Sequence, residues 1–338
     1  MMIRIYGMAL LISGLLLANA SARVWTDTTG RKIDAEIVKL DGDQVVLLFK
    51  GKEVKLPLSR LSEDDRKFTE EWQKSQPAEK AAPAGELNLC GTALKADGAV
   101  AVVQEPLSEA ALKKFAKAKT KPTQMKLGIA LPPGFDPAKP QHVMWVSAAI
   151  NSEDERKNGN IGAMGGYAAT AIQAGWVVIA ADTEHGNPRL NETSAGDLAV
   201  HKQAVEALTK TFPAFKSWKF ACCGFSGGAK ACFFRAGDLL ACELPLIGIF
   251  LGGCNQDLTA AAREETGFRK VGLKKTRVFI SNGKSDDIST VGAASALKES
   301  LDSGGYGDVK LDLFDGGHSL NGEAFVKAMT WFKEAPAK

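Results

Sequence analysis

The sequence predicts an α/β protein: a mostly parallel sheet flanked by helices, preceded by a small β unit. Three observations predict it. Beyond residue 86, apolar runs without alternation recur between helical stretches, as strands covered on both faces do. Residues 23–74 instead alternate apolar and polar side chains between turn signals, as half-buried strands do. Between them, SQPAEKAAPAG at 75–85 reads as a semi-rigid linker. A length of 338 residues suits one large domain plus a small one, and 45% hydrophobic content excludes wholesale disorder. The net charge of +3 demands neither nucleic acid nor an anionic membrane as partner.

Residues 1–22 predict a cleaved signal peptide. Arg4 supplies a positive start, Met8–Leu17 an apolar core, and Ala20-Ser21-Ala22 a small-residue cleavage site. A retained anchor is the competing reading, because residues 5–22 carry no charge. The short core and the A-x-A ending favour cleavage before Arg23. The expected product is exported, periplasmic or secreted, with no stable membrane anchor. Six cysteines in an exported chain permit a disulfide. Cys222 and Cys223 are expected as small buried hydrophobes pointing to opposite faces of a strand. The absence of C-x-x-C spacing argues against zinc.

In the small unit, strands are expected at 32–40, 44–50 and 53–58, with turns at Asp41-Gly42-Asp43 and Gly51-Lys52. Ser62, followed by Glu63, Asp64 and Asp65, caps a helix running to about Lys74. In the large unit, from about Glu86, strands are expected at 99–103, 124–131, 142–147, 176–181, 219–223, 246–251, 277–281 and 309–314. Helices are expected at 108–119, 163–174, 196–209, from 227, at 291–300 and at 322–333. Lys113, Lys114, Lys117 and Lys119 read as a solvated helix face.

Chemistry is concentrated in three short runs. Gly224-Phe225-Ser226-Gly227-Gly228 is a G-x-S-x-G string between an apolar strand and a helix. Such a strand–turn–helix projects the Ser226 hydroxyl from the sheet. The two outer glycines allow close backbone approach, and the Gly227 N–H faces a forming oxyanion. Only His318 of the four histidines follows Ser226, in Gly316-Gly317-His318 after the last strand, where a general base belongs. Between them, Asn282-Gly283-Lys284-Ser285-Asp286-Asp287 supplies the acid. Asp286 is favoured, Asp287 is the alternative, and Asp257 is more remote; one of the paired carboxylates is free to cap the next helix. The second oxyanion donor is expected from the loop after 143–147, at the N–H of Ala148 or Ala149. His185 falls at the pocket rim.

The run from Arg23 to Phe68, with Trp25-Thr26-Asp27, Gly30 and Pro57–Ser62, resembles the SLA-homology (SHD-type) domain. The resemblance implies a small SH3-like β fold and a protein-binding or positioning module. The elbow, acid turn and Gly-Gly-His of 86–338 resemble the α/β-hydrolase superfamily, with exported esterases and polyester-depolymerase-like or dienelactone-hydrolase-like members as the nearest pattern. That implies a serine hydrolase cleaving a small-molecule or polymeric carboxylic ester, with no metal or organic cofactor. A peptidase is the less favoured variant. The alternative is a protein-binding or envelope-interaction protein whose N-terminal domain is the functional part and whose hydrolase fold is inactive.

Overall fold

The computed structural model describes residues 23–41, 44–49, 52–75, 87–119, 121–149, 153–188 and 194–334. The leader at 1–22, the linker at 75–85 apart from Ser75, and the turn residues Gly42, Asp43 and Gly51 lie outside the described residues. The chain divides into two compact units, Met1–Ala84 and Gly85–Lys338.

The small unit is an antiparallel sheet in the order β1 (Arg23–Thr26), β2 (Lys32–Asp41), β3 (Gln44–Phe49) and β4 (Lys52–Pro57), followed by α1 (Glu63–Ser75). Trp25, Ile37, Val45, Leu47 and Leu61 form its core, and the Trp25 indole N–H donates to the Ala35 carbonyl at 2.9 Å. Ser62 Oγ accepts from the Asp65 N–H at 3.2 Å, the expected cap. The buried Asp65 carboxylate also accepts from Arg23 at 2.7 Å and from the Thr26 N–H at 2.6 Å, which clasps β1 to the helix. β1 is the one strand here without a sequence expectation.

The large unit opens with a two-strand hairpin, β5 (Leu87–Leu89) and β6 (Thr92–Leu94). Then follow β7 (Val100–Pro106), α2 (Glu109–Lys114), β8 (Gln124–Ala130), β9 (His142–Ser147), α3 (Glu153–Ala163), α4 (Ala168–Gln173) and β10 (Val177–Thr183). α5 (Ser194–Thr211), β11 (Lys219–Phe225), α6 (Gly227–Ala241), β12 (Leu246–Gly252), α7 (Thr259–Thr266), β13 (Arg277–Gly283), α8 (Val291–Gly304), β14 (Asp308–Phe314) and α9 (Gly322–Lys333) complete it.

These strands form an eight-stranded sheet in the order β14-β13-β12-β11-β9-β10-β8-β7. β8 pairs antiparallel with both β7 and β10; every pairing from β10 to β14 is parallel. Both faces are covered. One packs Trp145, Phe220, Cys222 and Leu251 under α5, α6 and α8; the other packs Val146, Cys223, Phe250 and Phe279 under α4 and α9. Cys222 and Cys223 thus point to opposite faces, as their adjacency in a strand requires. All six cysteines are free thiols, and burial pushes the Cys222 and Cys223 thiols far up.

Several elements depart from the sequence expectation. α2 ends at Lys114, short of Lys119, because Phe115 turns inward and is buried against Gly196, where a Cβ would stand 2.5 Å from its ring. Lys113, Lys114, Lys117 and Lys119 are exposed, as a solvated face should be. α3 stands where a loop was expected. Among the described residues no helix is long and apolar enough to cross a membrane.

Candidate active site

The carboxyl ends of the parallel strands line one edge of the sheet. β9 and β11 are neighbours, and the connections that follow them run in opposite directions, to β10 and to β12, the arrangement that opens a crevice at strand ends. β11 ends at Phe225, Ser226 forms the turn, and α6 begins at Gly227. Ser226 has φ 55° and ψ −119°, a region that a side chain occupies only at a cost of about 1–3 kcal/mol. Its N–H is tied to the Gly252 carbonyl at 2.8 Å.

The flanking glycines are required sterically. A Cβ on Gly224 would stand 2.3 Å from the Gly228 backbone, and one on Gly228 would stand 2.4 Å from the Ser147 carbonyl oxygen. Any side chain at either position would push α6 away from β11 and from the end of β9. A strained serine on a strand–turn–helix, set on a mostly parallel eight-stranded sheet, has the geometry of a nucleophile elbow. The large unit has the α/β-hydrolase fold.

In an α/β-hydrolase the acid and base follow the elbow in chain order, and here the two later turns are joined to each other. The Lys284 N–H donates to the Phe314 carbonyl, and the Ser285 N–H to the Gly316 carbonyl, both at 2.9 Å. A Cβ on Gly283 would collide with the Gly316 and Gly317 carbonyl oxygens at 2.3 Å. His318 is held on three sides. Its Nδ1 meets Asp286 Oδ2 at 2.8 Å, its ring lies 4.7 Å from the Phe225 ring, and a Cβ on Gly253 would stand 2.8 Å from its Cε1. His318 Nε2 is buried and meets no hydrogen-bond partner among the described residues.

Asp286 is 5% exposed. Its Oδ1 accepts from the N–H groups of Ile288 at 2.9 Å and Ser289 at 2.7 Å. Burial works against its charge, but the Ser289 N–H, the His318 ring and the Ile288 N–H together hold its carboxyl below the ordinary value. Asp287 is exposed, and the cap of α8 is Thr290, whose hydroxyl accepts from the Ala293 N–H. The cap expected from the carboxylate pair is therefore supplied by a residue with the better backbone position. Asp257 is bonded to Thr259 and Ser300 instead.

The Ala148 expectation is corrected. Its N–H donates to the buried Asn160 Oδ1 at 2.9 Å and is not available to an oxyanion. The Ala149 nitrogen, the other expectation, stands 3.0 Å from where a Gly228 Cβ would be, against the first turn of α6. No sequence signal singled out Asn160; it sits in a polar Asn-Gly-Asn run that reads as loop. His185 is partly exposed on the turn after β10, beside Glu184. Asp197, His201 and Asp238 bring three ligand-type atoms within 4.8 Å of one another. Arg235 bridges both carboxylates there and supplies the positive charge a cation would bring.

Residues 18–76 match the family described as SLA1 homology domain 1, SHD1. No curated protein matches the chain. Among solved structures, a candidate dipeptidyl aminopeptidase IV from Bacteroides ovatus is similar at 14% identity and TM-score 0.46, over 93% of this chain. This chain spans only 43% of that protein's length. A ferulic acid esterase is similar at 12% identity and TM-score 0.44, over 69% of this chain and 95% of its own. Est1E from Butyrivibrio proteoclasticus is similar at 15% identity and TM-score 0.39, over 62% and 93%.

Proposed function

We propose that the protein is an exported serine hydrolase that cleaves carboxylic esters through an acyl-enzyme. The observation that carries this reading is the state of His318: Nδ1 is held by Asp286 while the buried Nε2 meets no partner among the described residues, on a ring packed against the residue preceding Ser226. Asp286 keeps the proton on Nδ1, which leaves Nε2 basic. Nε2 takes the Ser226 proton as Oγ attacks the acyl carbon. The Gly227 and Ala149 N–H groups receive the negative charge that develops on the carbonyl oxygen, aided by the N-terminus of α6. Nε2 then protonates the leaving alcohol, and water activated by the same nitrogen releases the acid. None of these steps uses a metal or an organic cofactor.

The SHD1 unit is proposed as a module that binds a protein partner and positions the enzyme. It carries a groove of about 320 Å³ lined by Trp25, Ile33, Phe49 and Leu56, with Arg31 and Arg60 beside them. Export rests on the leader: a positive Arg4, an apolar core and Ala20-Ser21-Ala22. A fluorophosphonate probe tests the chemistry, because it reacts with an activated serine. Labelling is expected on Ser226, abolished in Ser226→Ala, with turnover of short acyl esters exceeding that of peptides. An unlabelled, folded protein would sink the hydrolase reading.

A further inference from the structure

The amide of Asn160 is buried beside the proposed reaction centre and meets three chain segments. Its Oδ1 accepts from the Ala148 N–H at 2.9 Å and from Asn187 Nδ2 at 3.1 Å, and its Nδ2 donates to the Ala181 carbonyl at 2.8 Å. Two donors face the oxygen and a carbonyl faces the nitrogen, so the orientation of the amide is determined by its partners. Asn160 and Asn187 are each 2% exposed.

The backbone at Asn160 is held as firmly. Gly159 takes φ 63° and breaks α3 into two helical pieces, so Asn160 opens the second. The N–H groups of Asn160 and Ile161 then point to the Asp182 carboxylate at 3.1 and 2.8 Å, a helix cap supplied by a neighbouring strand. A Cβ at Gly159 would stand 2.6 Å from that carboxylate. The clasp thus joins the end of β9, the end of β10 and the turn that follows β10, all at the strand ends where Ser226 and His318 stand.

We propose that Asn160 is a positioning residue for the oxyanion site: by holding the Ala148 N–H it orients the next peptide, so that the Ala149 N–H faces the reacting carbonyl oxygen. This rests on the serine-hydrolase reading. The Ala148 N–H is turned into the protein and bonded, and Gly228 brings the first turn of α6 against the Ala148–Ala149 peptide. Without the Asn160 oxygen, Ala148 has a buried unpaired N–H, and its peptide has reason to rotate toward solvent.

The test compares Asn160→Ala with Asn160→Asp in the full-length protein, using a short activated acetate ester. Asn160→Ala is expected to lower kcat by about 100-fold at little-changed KM, the size of effect seen when one oxyanion donor is lost. Affinity for phenylboronic acid, which forms a tetrahedral adduct on the serine, is expected to fall in parallel; a merely structural role would leave it unmoved in the folded protein. Asn160→Asp keeps an acceptor toward Ala148 in either protonation state and is expected to restore kcat to within about tenfold of wild type. A folded Asn160→Ala with wild-type kcat and boronate affinity overturns the proposal, as does an equal loss in both variants. If Asn160→Ala does not fold, Ala149→Pro decides, because it deletes the N–H that Asn160 is proposed to orient and leaves the Asn160 side chain in place. A fully active Ala149→Pro overturns the proposal, and a loss near 100-fold at unchanged KM upholds it. An inert wild type fails both readings, whereas an active wild type with an unaffected Asn160→Ala fails this one alone.

Discussion

Asp182 near the end of β10 and Asp286 just past β13 are both almost fully buried, and each accepts two backbone N–H bonds. Their charges fare differently. Burial dominates at Asp182 and pushes its carboxyl up to about 7 against the Ile161 and Asn160 N–H groups; Asp197 adds to the rise and Arg235 opposes it. At Asp286 the same kinds of N–H bonds, joined by the His318 ring, hold the carboxyl below its ordinary value. Burial weighs far more heavily on Asp182 than on Asp286, and at Asp286 the His318 ring adds to the two N–H bonds. One aspartate is thereby suited to support a base, the other to cap a helix.

The largest expected effects lie on the Asp286 side. Ser226→Ala and His318→Ala should each lower kcat by on the order of 10⁴ or more on an activated ester, and the double variant should lose little further, because the two groups act as one unit. A Ser226→Ala variant with normal turnover would break the comparison at its root, since Asp286 would then serve no base.

Asp286→Asn should cost at least roughly 10²-fold, because an amide no longer fixes the histidine tautomer. Asp287→Asn should change kcat by less than about threefold, since Asp287 is exposed and Thr290 caps α8. Steady-state kinetics on the pair sharpens the comparison. A larger loss at Asp287 than at Asp286 would move the acid role to Asp287 and leave the rest of the site intact.

The elbow and the acid turn were legible because each needs glycine at a place where a Cβ has no room, and glycine is visible in sequence; the expected base turn was legible because His318 alone of the four histidines follows Ser226. Gly224, Gly228 and Gly283 all meet backbone within 2.4 Å of a built Cβ. The covered strands were legible for a related reason: burial on both faces leaves an unbroken apolar run, as in Leu246–Gly252. What escaped was set by tertiary contact. α3 is polar and interrupted at Gly159, and its second half depends on a cap from Asp182, 21 or 22 residues downstream in sequence. The β5–β6 turn uses Cys90 at φ 49° before Gly91, a residue that announces no turn. The Ala148 donor failed because its partner, Asn160, is distant in sequence and lies in a segment that reads as loop.

The remaining effect is on stability rather than on turnover, and it has opposite sign at the two aspartates. Asp182 has a folded value near 7 against 3.8 for the ordinary group. Between those values the unfolded chain ionises at this position while the folded chain keeps its proton, so the folded state binds more protons and stability falls as pH rises. The span corresponds to roughly 4 kcal/mol, complete by about pH 7. Asp286, with its folded value lowered, contributes stability that is present above the unfolded value and lost as pH falls through the folded one. Urea unfolding of wild type and Asp182→Asn at steps from pH 4 to pH 8 isolates the first effect, because the other titrating groups cancel in the difference. The asparagine variant should be the less stable protein at pH 4, where it gives up the native cap, and should gain on wild type steadily up to pH 7. A difference that stayed flat across that range, or moved the other way, would mean that Asp182 is ionised in the folded protein at neutral pH, and that the two buried carboxylates are alike.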